Sequence, residues 1–190
     1  MNIVLASFGF LILPVLSFHA FVASLDIPSP STMSSPSVAQ KIAAMGITLQ
    51  DPPVSHGNYV ACVKTGSLLH LCGHLPLKED GTFIIGTLGR DLTVEEGYDS
   101  AKYCAINILS TINKELNGDW NRMVRIVKVV GFVNSANDFT QQPAVINGAS
   151  DLFRAIFDER GVHARSAVGS NVLPFGVATE VECIVEISQD

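Results

Sequence analysis

Residues 124–133 read VRIVKVVGFV, and no other stretch restricts the fold as strongly. The run is β-branched and apolar on both parities, so a strand made from it turns carbon to both of its faces. Such a strand belongs in a sheet covered on both sides, by helices or by a partner subunit. The rest of the chain, or a partner subunit with it, must therefore cover two faces.

The neighbouring segments supply some of it. Thr93-x-x-Glu96 is a capping box. Behind it Tyr98, Ala101, Ala105, Ile108 and Ile112 recur at helical spacing, with Cys104 and Leu109 widening the stripe, until Asn117-Gly118-Asp119 stops the helix. A second helix is expected from about Pro143 to Phe157, with Val145, Ala149, Leu152, Phe153 and Ile156 inward. Asn58–Lys64 and Ser67–Gly73 are apolar runs joined by Thr65-Gly66, a hairpin signal, and Thr82–Ile85 reads as another short strand. Arg165–Leu173 and Thr179–Ile187 read as the closing strands. In the last, Val181, Cys183, Val185 and Ile187 alternate with Glu180, Glu182, Ile184 and Glu186. The expected order is β-β-β-α-β-α-β-β, an α+β sheet with two helices on one face. Two helices cover one face only, and a homo-oligomer is the economical cover for the other.

The first charged residues are Asp26 and Lys41. Residues 1–24 are apolar and read as a signal peptide or anchor, residues 25–37 as a Pro/Ser linker, and 38–190 as the domain. A signal would route the chain to the secretory pathway, and an uncleaved anchor would hold it at a membrane. Translation from Met33 would leave a cytoplasmic domain. Net charge is −6, with no basic run, which disfavours nucleic acid as the main partner. Cys62, Cys72, Cys104 and Cys183 form no CxxC and read as buried thiols.

P-loop, GxGxxG, HExxH and GxSxG motifs are missing from the sequence. His56, His70, His74 and His163 have no metal-ligand spacing, and His19 lies in the apolar presequence. One constellation carries chemistry. Arg165 opens a strand and Glu180 opens the next. Were these strands neighbours, a guanidinium and a carboxylate would meet at the rim of the sheet. An Arg there can clamp a carboxylate bidentately, and a Glu can position water or move a proton. From spacing alone, a structural cross-strand salt bridge is the commoner reading of such a pair.

The segments HGNYVACVKTGSLLHLCGHLP and ARSAVGSNVLPFGVATEVECIVEI resemble the Rid/YjgF family of enamine/imine deaminases, also called L-PSP endoribonuclease-like. VEEGYDSAKYCAINILSTINKEL and GFVNSANDFTQQPAVINGASDLF are similar to its divergent branch, and the resemblance runs from Val38 to Ile187. It implies the chorismate-mutase-like fold and a homotrimer with clefts between subunits. By the same resemblance Arg165 would bind a substrate carboxylate and Glu180 would handle water or a proton. Tyr59 and Asn147 would line the cleft, and Cys72-Gly73-His74 would supply it with backbone groups. Two positions depart from the deaminase pattern: Ala167 stands for a Cys and His74 for a Gln. The segment Asn137–Asn147 differs as well.

The resemblance implies hydrolysis of small enamine or imine acids, 2-aminoacrylate-like, to 2-keto acids and ammonia, with no metal and no cofactor. The alternatives are a trimer that binds a small carboxylate metabolite without turnover, and an endoribonuclease.

Overall fold

A computed structural model describes residues 35–52 and 57–189. The apolar presequence with His19, most of the Pro/Ser linker, and His56 lie outside the described residues. The elements run α1 (Val38–Ala44), β1 (Cys62–Thr65), β2 (Leu68–His74), α2 (Val94–Glu115), β3 (Met123–Asn134), α3 (Gln142–Phe157), β4 (Ala164–Ser170) and β5 (Thr179–Ile187). The strands form one sheet in the order β1-β2-β5-β3-β4. β3 and β4 pair in parallel and every other pair is antiparallel. The fold is α+β, a single mixed sheet with its helices on one face.

β3 is the expected doubly apolar strand. Ile126, Val129 and Val133 are buried beneath the helices, whereas Val130 and Phe132 on the other face are half-buried. α2 begins where its capping box predicts: Thr93 Oγ1 accepts from Glu96 N, and Glu96 Oε2 accepts from Thr93 N. Its stripe from Ala101 to Ile112 is buried. Tyr98 stands at the margin, its hydroxyl donating to Asp151 Oδ2 at 3.1 Å. α3 buries Val145, Ile146, Ala149, Leu152, Phe153, Ile156 and Phe157. Gly148 lets the two helices touch backbone to backbone, because a Cβ there would collide with the Tyr98 carbonyl.

Three expectations change. A third helix, α1, precedes the sheet. Its own capping box joins Ser37 to Gln40, Val38 and Ile42 are buried, and Lys41 pairs with Asp158. So short a helix is marginal alone and is held by that packing. Thr82–Ile85 forms no strand, only the isolated bridges Leu77↔Phe83 and Ile85↔Val177. The segment divides its backbone between two neighbours, Ile84 N donating to the Pro76 carbonyl and Ile84 O accepting from Ala178 N, so each side gives one bridge and neither gives a ladder. Finally, β4 and β5 are not neighbours, since β3 lies between them. β4 follows a helical crossover from β3 and pairs with it in parallel, as such crossovers favour. The loop after β4 then carries the chain past β3 to its far side.

Candidate functional site

Arg165 lies in β4, an edge strand, in register with Val129. Its side chain reaches α3, where Pro143, Asn147 and Ser150 share one stripe because they stand four and three residues apart. Arg165 Nη1 donates to Asn147 Oδ1 at 2.9 Å and to Ser150 Oγ at 3.0 Å, and Nη2 donates to the Pro143 carbonyl at 3.3 Å. Three of its five N–H groups are thus fixed. Nε–H and one Nη2–H keep no partner among the described residues, on an edge able to grip a carboxylate with two parallel bonds. Ser150, Asp151, Arg154, His163 and Arg165 line a cavity of about 230 Å³ beside this guanidinium.

Glu180 occupies a different place. It pairs in register with Phe132, whereas Val129 faces both Arg165 and Cys183. Glu180 therefore projects from the face without helices, and Arg165 from the helix face. Within one subunit the two side chains cannot meet, which corrects the expected rim pairing. Glu180 instead packs on Gly73. The register slips between Leu71 and His74, so β2 bulges at Cys72-Gly73. A Cβ on Gly73 would collide with the Glu180 carboxylate. Burial, and then the Glu182 charge two residues on, raise the Glu180 pKa above the ordinary carboxylate range. The Cys72 thiol, half-buried, is pushed up by burial first and by Glu180 second.

The bulge also decides the fate of His74. It turns this side chain back among the helices, where it is 5% exposed. Nδ1 donates to the Cys72 carbonyl and Nε2 accepts from the Thr111 hydroxyl, both at 2.8 Å. With both ring nitrogens engaged, the imidazole is a core group and only the backbone at position 74 remains for a cleft. Burial lowers its pKa. Tyr59 is 56% exposed and precedes β1 at the sheet edge opposite β4.

The expected site residues thus fall into two sets. Arg165 and Asn147 come together on the helix side of the β4 edge. Glu180, Cys72 and Gly73 come together on the open face. Ser150 and His163 were not expected here, although Ser150 is one turn from Asn147 and its spacing signals the shared stripe. A second groove of about 580 Å³ lies at the ends of β3 and β4, its lining mixed between polar residues such as Arg90, Asn134 and Asn171 and apolar ones such as Ile85 and Val172. Among the described residues no group of three or more His, Cys, Asp or Glu is placed to hold a metal ion.

A five-stranded mixed sheet with helices on one face, a second face without helices and a held arginine at its edge defines a class of α+β domain. The comparisons name the family. Residues 39–187 match the YjgF/chorismate mutase-like family model, whose description also carries the word endoribonuclease. The chain is 43% identical to Protein TCP17 of Trypanosoma cruzi over 159 residues, covering 83% of this chain and 99% of that protein. The crystal structure of Atu1372 from Agrobacterium tumefaciens, a protein of unknown function, is 39% identical with a TM-score of 0.74, covering 80% of this chain and 94% of that one. E. coli TdcF with bound serine is 27% identical with a TM-score of 0.50, covering 75% and 98%. The chain belongs to the Rid/YjgF family.

Proposed function

We propose that the chain forms a homotrimer and hydrolyses small imine or enamine acids in clefts between adjacent copies. In this reading one copy contributes Arg165 and Asn147. Its neighbour contributes Glu180, the Gly73 backbone and Tyr59. The observation that carries the reading is the state of Arg165. α3 holds three of its donors and leaves the Nε edge for an incoming carboxylate. The relative TdcF, whose structure holds serine, supports a ligand with a carboxylate.

The chemistry needs little machinery. An enamine first takes a proton at its terminal carbon and becomes the imine. Water then adds to the C=N carbon, the nitrogen takes a proton, and collapse of the adduct releases ammonia and leaves a 2-keto acid. Holding the carboxylate on Arg165 orients the C=N bond and removes rotational freedom before reaction. Glu180, its pKa raised by burial, is suited to accept a proton from the attacking water and return it to the leaving nitrogen.

The test follows 2-keto acid release from imino acids that an amino-acid oxidase generates in situ, with and without the protein. Acceleration is expected, with Arg165→Ala losing it by at least about tenfold while remaining folded. Acceleration that survives Arg165→Ala would overturn the assignment. A second reading, a carboxylate-binding trimer without turnover, is favoured by one observation: the arginine clamp is complete within a single subunit that brings no Glu180 to it. Binding of 2-oxobutanoate with no turnover of any imino acid would select that reading.

A further inference from the structure

We infer that Ser150 and His163 are positioning residues for Arg165, linked to it in a hydrogen-bond relay that sets the carboxylate-gripping edge. The inference rests on the reading of Arg165 as the carboxylate anchor. His163 Nδ1 lies 2.6 Å from the Gly161 carbonyl, and its Nε2 lies 3.0 Å from Ser150 Oγ. A carbonyl only accepts, so Nδ1 carries the ring proton. The neutral ring then offers a lone pair at Nε2, and the Ser150 hydroxyl donates to it. That donation turns the lone pairs of Ser150 Oγ toward Arg165 Nη1, 3.0 Å away. Every group in the relay has one consistent role, and the direction is set by the carbonyl at its far end.

The surroundings hold the relay in place. The Phe153 ring meets the imidazole edge-on, with centroids 6.0 Å apart and planes at 82°. Gly161 is pressed on α3 so closely that a Cβ there would strike the Phe153 carbonyl. That approach brings the Gly161 carbonyl to the imidazole. The charged groups near His163 are Arg165 on β4, and Asp151 and Arg154 on α3, which line the same cavity. Arg125 of β3 donates to the adjacent Val162 carbonyl at 3.4 Å. In the turn before β4, Arg160 donates to the Met123 carbonyl and Glu159 lies 3.9 Å from Arg154. Burial lowers the His163 pKa, the Gly161 hydrogen bond opposes that, and the Arg165 charge lowers it further, so the net shift is toward the neutral ring of the relay.

The experiment titrates 2-oxobutanoate into the full-length protein by calorimetry, comparing wild type with Arg165→Ala, Ser150→Ala, Ser150→Thr and His163→Leu. Arg165→Ala should abolish binding. Ser150→Ala and His163→Leu should each weaken it about tenfold, and Ser150→Thr, which restores a hydroxyl, should recover most of the loss. Wild-type affinity in both Ser150→Ala and His163→Leu, with none in Arg165→Ala, would overturn the relay and leave the anchor standing. Wild-type affinity in Arg165→Ala would overturn the anchor and the relay together. The ¹⁵N spectrum of His163 in the wild-type protein is independent of how the variants fold. A neutral ring protonated at Nδ1 is expected near pH 7, and an imidazolium or an Nε2–H ring would overturn the relay.

Discussion

At the start of β5, Glu180 is half-buried against the Gly73 backbone, with Glu182 on the same face. Its folded pKa lies above the ordinary carboxylate value, so folding favours the protonated form. Below the unfolded value, near about 4.3, the carboxyl is neutral in both states and folding bears no penalty. As pH rises through the raised folded value the group ionises at a cost, and stability falls. Glu180→Gln should therefore melt above wild type at pH 7, with the difference vanishing near pH 4, as calorimetry across that range can check. An unchanged difference at both pH values would contradict the assigned burial. Single residues were unevenly legible. Arg165 and Asn147, singled out separately in the sequence, are hydrogen-bond partners in the structure. The inward turn of the His74 imidazole depends on one extra residue in β2. A bulge is a matter of register between strands far apart in sequence, and only Gly73 hinted at it.

Among the elements, α2 and α3 meet backbone to backbone where Gly148 faces Tyr98. The obstacle to a side chain there is backbone, the Tyr98 carbonyl and the Lys102 amide, so no rotamer change relieves it. Gly148→Ala should separate the helices and lower the unfolding free energy by about 3 kcal/mol. Urea denaturation should show this as a lower midpoint with an unchanged slope. A wild-type midpoint would mean that the helices part without cost. Helix ends were legible because capping is local: Thr93 and Glu96 satisfy each other within one turn. The short α1 carries the same local signal in Ser37 and Gln40, yet seven residues become a helix only by burying Val38 and Ile42. The segment Thr82–Ile85 failed as a strand for a non-local reason: Ile84 bonds to Pro76 on one side and to Ala178 on the other, so neither distant neighbour builds a ladder with it.

The whole molecule presents one sheet face without helices. Val63 and Val168 on it are 52% and 45% exposed, and Phe132, Val130 and Ile184 lie between them beside Glu180 and Glu182. If this face packs against two further copies, as proposed, a charge in its apolar part must break the assembly. Val168→Glu should convert a trimer at micromolar concentration into folded monomers, read by light scattering with sedimentation, and should also remove any turnover that needs Glu180 from a neighbour. A wild-type protein that is monomeric at that concentration would defeat the intersubunit cleft.

The amino-acid sequence by itself determined the strand content of β3 and β5, the two long helices, their buried stripes and the family. All of these follow from periodicity, capping and residue choice within about twenty positions, where the chain's own geometry dictates which side chains share a face. Only the tertiary structure decided that β3 separates Arg165 from Glu180 and places them on opposite faces. It also decided that His74 belongs to the core and that Ser150 and His163 stand behind the arginine. Strand order, bulge register and helix-to-strand contacts join residues with no local relation in the chain. They are set by how the packed layers satisfy carbon and hydrogen bonds together.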